Sequence, residues 1–347
     1  MNIKVNRLLV INYCMDLEHP VLSHQVQAVN ALSTEFDQVI VLTGRLGICE
    51  VSPNVKVIST NWIAKQPIRN SVKFLSAVIP IVITKKFNSI FSHMTEVQSA
   101  LIAPLTRILG VRHYLWYAHT TRSRYLVWCH FWLTGIITST AGSCPLSGSR
   151  IHPIGQAINT ADFAIKKYKP KSLLNFIHIG RFDPSKNIEN IIQAVESCRE
   201  LGENLCLTLV GSPSNKIAEI NAREITTKYD YAINEGWLKF VDAIPRSHVA
   251  KYLQDFDVFI HSYVGSLDKT IVEATMLGVP VVTVNPEYRL VFGGWSSNTN
   301  PTLLDEIRGL FSSSRTDVAT KLQQRQLLSI KNHSLNNWTV ELSRILH

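Results

Sequence analysis

Short apolar runs alternate with longer segments of helical periodicity from residue 7 to residue 284, and this alternation constrains the fold more than any other feature. Residues 7–12, 38–43, 55–59, 89–93, 113–119 and 135–140 read as strands. Residues 21–33, 68–84, 97–109 and 125–133 read as the helices between them, with Val26, Val29 and Leu32 on one face of the first. Pro80 is expected to kink or shorten its helix, because proline lacks an N–H and crowds the preceding turn. A second series begins near Leu173. Strands at 175–180, 205–211, 240–243, 258–261 and 279–284 alternate with helices at 188–201, 217–228, 247–255 and 270–277. Ile188, Ile191, Ile192 and Val195 form an apolar stripe, and Gly202 is placed to end that helix. Such a repeat buries its strands as parallel sheets covered by helices on both faces. The expected fold class is α/β, two doubly wound Rossmann-like domains facing a central cleft. Residues 1–160 make the first domain and 161–347 the second, with the final helix able to cross back. Residues 157–171, with four lysines and Pro170, read as an exposed linker. Ligands are expected outside the carboxyl ends of the strands, where such sheets bind them.

Composition narrows the class. A hydrophobic share of 46% with 18% charged residues suits a folded protein. The six cysteines form no C-x-x-C pair and read as thiols in a reducing compartment. The apolar run before Asp16 and Glu18 fits a first strand better than a signal peptide. No stretch approaches the ~20 apolar residues that span a bilayer; the nearest, 74–84, stops at Lys85-Lys86. The expectation is a cytoplasmic protein.

The charge is uneven. Residues 1–160 hold 14 Lys/Arg against 6 Asp/Glu, whereas 161–347 hold 21 against 20. No carboxylate lies between Glu96 and Asp162, a segment carrying Arg107, Arg112, Arg122, Arg124, Trp116, Trp128, Phe131 and Trp132. A basic, aromatic face suits an anionic membrane surface, giving peripheral contact at its inner face, or an anionic acceptor. The same residues also read as a core of buried aromatics with solvated arginines. No basic run or binding motif points to nucleic acid.

Two loops carry the chemistry. Gly180-Arg181-Phe182-Asp183-Pro184-Ser185-Lys186 lies between a strand and a helix. A diphosphate there would meet two cations, free backbone N–H groups and a helix N-terminus. The alternative is a solvent loop whose charges pair with Asp183 and Glu189. The second loop is Gly265-Ser266-Leu267-Asp268-Lys269-Thr270-Ile271-Val272-Glu273. Its Gly-Ser turn lets backbone amides approach an anion, and Glu273 can accept two ribose hydroxyls. Thr270-x-x-Glu273 also has the form of a capping box, which needs no ligand.

Together these loops resemble the retaining glycosyltransferases of GT-B family 4 (glycosyl transferases group 1), which place a Gly-Arg-x-x-x-x-Lys loop and a Glu-x7-Glu motif there. The resemblance extends to Ala274-Thr275-Met276-Leu277-Gly278-Val279-Pro280, to Asp257-Val258-Phe259-Ile260 and to Ile154-Gly155-Gln156-Ala157-Ile158-Asn159, covering most of 110–285. It implies that Arg181 and Lys186 clamp the diphosphate of a nucleotide-sugar donor and Glu273 binds its ribose. Gly180, Gly265, Ser266, Leu267, Asp268 and Lys269 complete the implied donor site. The family's first motif glutamate falls on Gly265, which puts Asp268 and Lys269 forward as substitutes and marks a Gly-Ser-Leu-Asp-Lys subgroup. The family's glycine-rich loop after the first strand is replaced by Asp16-Leu17-Glu18-His19-Pro20-Val21-Leu22-Ser23, with Ser23 read as a helix cap.

His119, at the end of Trp116-Tyr117-Ala118-His119, is implied to bond a hydroxyl of the donor sugar. Asp16, His19, Arg122 and Arg124 stand on the acceptor side. The implied reaction is transfer with retention to a glycan or lipid-linked acceptor. It needs no cofactor and no metal where Arg181 and Lys186 stabilise the leaving diphosphate. Asp255-Phe256-Asp257 precedes a strand and is discounted as a metal site. A catalytically silent GT-B-like binding protein and a nucleotide-sugar epimerase of the same fold are the alternatives.

Overall fold

The computed structural model describes residues 6–347 apart from 20, 85–86, 162 and 164–172. It divides into two compact units. The first ends at Asn159 and takes back Asn332–His347; the second is Thr160–Lys331.

In the first unit seven parallel strands form one sheet: β1 (Arg7–Met15), β2 (Gln38–Leu46), β3 (Val55–Ser59), β4 (Ser89–His93), β5 (Arg112–Trp116), β6 (Gly135–Thr138) and β7 (Ile151–Pro153). Their order is β3-β2-β1-β4-β5-β6-β7. Helices α1 (His24–Ser33), α2 (Pro67–Ile83), α3 (Glu96–Ile108) and α4 (Arg124–Trp132) cover it. The period of two along β1 shows why both faces need covering. Leu8 and Val10 join a core with Val26, Val29 and Leu32 of α1. Leu9 and Ile11 join another with Phe74, Val78 and Val82 of α2 and Ile102 of α3. Full burial of each such side chain contributes about 1.5–3 kcal/mol.

The second unit repeats the plan with β8 (Leu174–Ile179), β9 (Leu205–Val210), β10 (Leu238–Val241), β11 (Val258–His261) and β12 (Val281–Thr283), all parallel, in the order β10-β9-β8-β11-β12. Its helices are α5 (Ile188–Glu200), α6 (Lys216–Lys228), α7 (Asp230–Asn234), α8 (Val249–Leu253), α9 (Lys269–Met276), α10 (Pro286–Phe292), α11 (Leu303–Ser312) and α12 (Arg315–His333). α5 lays Ile188, Ile191, Ile192 and Val195 on Leu205, Leu207 and Leu209. Gly202, with φ +95°, closes that helix by donating to Arg199 O. The last helix, α13 (Leu335–Leu346), belongs to the first unit and buries Trp338, Leu342 and Leu346 in the α1 core.

Several expectations need correction. The strand at 113–119 stops at Trp116, and β7 was not foreseen: it is three residues long and closes on Pro153, which only an edge position tolerates. Pro80 sits inside α2, which ends within one turn after it. Ser23 occupies the N-cap position of α1 but its hydroxyl makes no capping bond. The linker reading fails at its start, since Ile158 is buried and exchanges backbone hydrogen bonds with His333 and Leu335. Residues 162 and 164–171 of that stretch lie outside the described residues.

Candidate functional site

All five strands of the second sheet point their carboxyl ends one way, so the loops after β8, β9, β11 and β12 meet along one edge. Strand order reverses between β8 and β11, which makes that pair the sheet's switch point. The two loops singled out in the sequence follow those two strands. They are joined directly: Lys186 Nζ donates to Asp268 Oδ2 at 2.5 Å, across 82 residues of chain. The Lys186 ammonium also lies over the Tyr263 ring, 3.7 Å from its centroid.

The loop-pairing alternative is half right. Arg181 pairs with Asp183 at 3.3 Å and keeps 63% of its side chain exposed. Glu189, however, takes Lys228 and leaves Lys186 to Asp268. Asp183 Oδ1 accepts from the Ser214 hydroxyl after β9, which ties a third loop to the cluster. Gly180 and Gly211 let these loops close: a Cβ on Gly211 would stand 1.8 Å from Gly180 O.

Burial would raise the Asp268 carboxyl, but the His261 hydrogen bond and the Lys186 charge hold it well below the usual carboxylate range. It is ionised. Asp268 is the N-cap of α9 yet makes no capping bond, so the first amides of that helix are not taken by its side chain. A Cβ at 265 would meet the Tyr263 hydroxyl at 2.0 Å, so a larger residue there requires that ring, the one beneath Lys186, to move. Asn285 pins the loop by donating to Tyr263 O and Gly265 O at 2.9 and 3.0 Å. Ser266 and Leu267 are buried in it.

The capping-box reading is overturned. Thr270 lies inside α9, one position past its first residue, and cannot be its N-cap. Glu273 is buried, bonded through Oε1 to Arg246, while Oε2 has no hydrogen-bond partner among the described residues. Burial pushes the Glu273 carboxyl up against the pull of Arg246 and Lys269. Burial and Arg246 push the Lys269 ammonium down, and Glu273 opposes them. Asp257 binds the Asn175 amide at 3.0 Å, at the opposite, amino end of β8.

In the first unit, His119 is exposed three residues beyond β5, not at a strand end. Its Nδ1 accepts the Thr121 amide at 3.0 Å, which leaves Nε2 to carry the proton in the neutral ring. Asp16 and His19 follow β1. Asp16 Oδ1 accepts the Glu18 amide, and His19 Nδ1 accepts the amides of Val21 and Leu22. Arg122 and Arg124 are exposed just before and at the start of α4, Arg124 over the Tyr125 ring. The aromatic segment divides: Tyr114 and Trp116 are core, whereas Trp128 and Phe131 are 46% and 72% exposed. A cavity of about 220 Å³ lined by Arg107, Arg112, His113 and Trp132 opens at the amino end of β5. It faces the carboxyl-terminal ends of α3 and α4, whose partial negative charge the two arginines offset.

The loops after β8 and β11 fall within residues 160–290, which match the family model described as Glycosyl transferases group 1. That segment is a glycosyl transferases group 1 domain. The whole chain is similar in structure to a sucrose-phosphate synthase of Thermosynechococcus elongatus, with 15% identity, TM-score 0.75 and 98% of each chain covered. It is also similar to HepE of Anabaena in complex with UDP and glucose, with 13% identity, TM-score 0.72 and 98% of each chain covered. A third is WaaG, described as a glycosyltransferase involved in lipopolysaccharide biosynthesis, with 11% identity, TM-score 0.65 and coverage of 98% and 99%. The fold is that of the GT-B glycosyltransferases. No individual curated protein matches the sequence. Within the group 1 domain, four residues of the site escaped the sequence reading: His261, Tyr263, Arg246 and Asn285. Only Asn285 left a signal, the Asn-Pro pair that caps α10.

Proposed function

We propose that the chain is a retaining glycosyltransferase of family 4 that moves a hexose from a nucleoside-diphosphate sugar to a glycan or lipid-linked acceptor in cell-surface polysaccharide or glycolipid synthesis. The observation that carries this reading is the Lys186–Asp268 bridge across the switch point of a group 1 domain, with Arg181 beside it. As the sugar–phosphate bond loosens toward an oxocarbenium ion, charge builds on the diphosphate. Arg181, Lys186 and the open amides of α9 stabilise it without a metal. Glu273 receives the ribose hydroxyls through Oε2, a buried oxygen with no hydrogen-bond partner among the described residues, while Arg246 holds Oε1. Asp268 uses one oxygen on Lys186 and His261 and offers the other to the sugar, the task the family gives to residue 265. His119 donates from Nε2 to a sugar hydroxyl, and Asp16, His19, Arg122 and Arg124 serve the acceptor.

In this proposal the protein works in the cytoplasm, where α3 and α4 meet the anionic inner face of the membrane. Ile108, Trp128 and Phe131 are exposed there beside Arg107 and Arg124. No helix is long and apolar enough to cross a membrane among the described residues. Pelleting with anionic vesicles at low salt, lost at high salt, supports that contact; equal pelleting with neutral vesicles contradicts it. The reaction itself is tested by incubating each nucleotide sugar with lipid-linked acceptors and reading the new anomeric signal by NMR. An α-linkage from an α-linked donor is expected, and a β-linkage overturns retention. Nucleotide binding without any turnover favours the silent-protein alternative, for which Gly265 is the specific observation.

A further inference from the structure

Asp268 stands where an aspartate side chain ordinarily accepts an amide of the first helical turn. It makes no such bond. Its Oδ2 accepts instead from Lys186 Nζ at 2.5 Å and from His261 Nε2 at 3.1 Å. His261 is the last residue of β11 and is fully buried. Its Nδ1 lies 3.3 Å from the Thr283 hydroxyl, and Thr283 Oγ1 accepts the Asn285 amide at 3.0 Å.

With the His261 ring neutral, one proton arrangement satisfies this whole chain. An ionised carboxylate only accepts, so His261 Nε2 carries the proton and donates to Asp268. Nδ1 is then an acceptor and takes the Thr283 proton, while the Thr283 oxygen takes the Asn285 N–H. A line of fixed donors therefore runs from the Asn285 amide to the Asp268 carboxylate, which also accepts from the buried ammonium of Lys186. Among the described residues, Lys186 and His261 are the side chains that hold Asp268 by hydrogen bonds. Of the two, only the imidazole is rigid: it has two torsions and sits on a strand, whereas a lysine side chain has four torsions and more rotamer freedom to lose.

We propose that His261, backed by Thr283, is the positioning residue that holds the Asp268–Lys186 pair in place for a diphosphate at the switch point of the second sheet. The proposal rests on the nucleotide-sugar reading. His261 touches no ligand and acts through Asp268. Glutamine can reproduce its role, donating from Nε2 and accepting at Oε1; leucine cannot.

The test uses the full chain with UDP, GDP, ADP and dTDP as probes, and titrates the nucleotide that binds into the wild type, His261→Leu, His261→Gln, Asp268→Asn and the His261→Leu/Asp268→Asn double variant. His261→Leu is expected to weaken binding at least about tenfold, the scale of a charge-assisted hydrogen bond, and His261→Gln to restore most of it. In the Asp268→Asn background the leucine change adds nothing. Wild-type affinity in His261→Leu, glutamine no better than leucine, or additive losses in the double variant each overturn the proposal. If the wild type binds no nucleotide, the donor reading fails and the positioning claim is decided by 15N NMR of the histidine rings. Protonation of His261 on Nε2, with a resonance that moves in Asp268→Asn, supports it; protonation on Nδ1, or no movement, overturns it.

Discussion

Arg181 and Lys186 carry the same charge in the same loop but are built into the molecule differently, and substitution separates binding from stability. Arg181 is mostly exposed and among the described residues pairs with Asp183, a surface contact worth little. Arg181→Ala should leave the melting temperature within about 1 °C, a stability change under ~0.5 kcal/mol, and cut turnover by about 100-fold or more. Lys186 is buried against Asp268 and Tyr263, so Lys186→Ala should abolish turnover and also destabilise by about 1–3 kcal/mol, because a charged carboxylate loses its partner. Melting curves and turnover measured together check both; equal destabilisation by the two variants contradicts the geometry. A second pair separates the readings of the α9 loop. Thr270→Ala should cost under ~0.5 kcal/mol, since Thr270 is no cap, whereas Glu273→Ala should weaken nucleotide binding about tenfold. A melting loss of ~1 kcal/mol in Thr270→Ala would restore the capping box. At this scale the sequence showed which residues are charged and where the loops lie. It did not show that Lys186 would choose Asp268 over Glu189, because that choice is made by strand order, not by spacing along the chain.

Among the elements, glycines mark where backbones must touch. Gly211 follows β9, and any side chain there would drive into Gly180 O at the end of β8. Gly211→Ala should destabilise by about 2 kcal/mol or more and lower nucleotide affinity, as read by urea unfolding and titration. A neutral Gly211→Ala would mean that the β8 and β9 loops are not packed as described. The strands and most helices were legible because alternating apolar residues and helical stripes are local signals, as the β1 alternation shows. β7 was not legible, being three residues long, and the close approach of Tyr263 to Gly265 was not, because it depends on how one loop folds over itself. Asp257, set aside in the sequence for preceding a strand, is tied to the amino end of β8, away from the loops that form the site.

For the whole molecule, both units retain buried histidines that the proposed chemistry does not use. Burial pushes His113 and His178 down to about 3 and His333 to about 4, from an ordinary 6.5. Each therefore binds its proton more weakly in the folded chain than in the unfolded one. Above pH 6.5 they leave stability unchanged. As pH falls from 6.5 toward 4, each lowers stability by up to about 1.4 kcal/mol per pH unit. The urea midpoint should drop steadily over that range; a constant midpoint down to pH 4.5 contradicts the neutral buried state. The excess charge of the first half was legible as a number, but its division between core and surface was not. Trp116 and Phe131 look alike in sequence and differ by burial on a sheet against exposure on a helix.

The central claim, a nucleotide-sugar site at the β8–β11 switch point, is tested most directly by thermal shift against UDP-, GDP-, ADP- and dTDP-sugars, with and without magnesium, in the wild type and in Arg181→Ala. A rise in melting temperature is expected with one nucleotide family, indifferent to magnesium and lost in Arg181→Ala although that variant melts like the wild type on its own. No rise with any nucleotide sugar, or a rise that survives in Arg181→Ala, would contradict it.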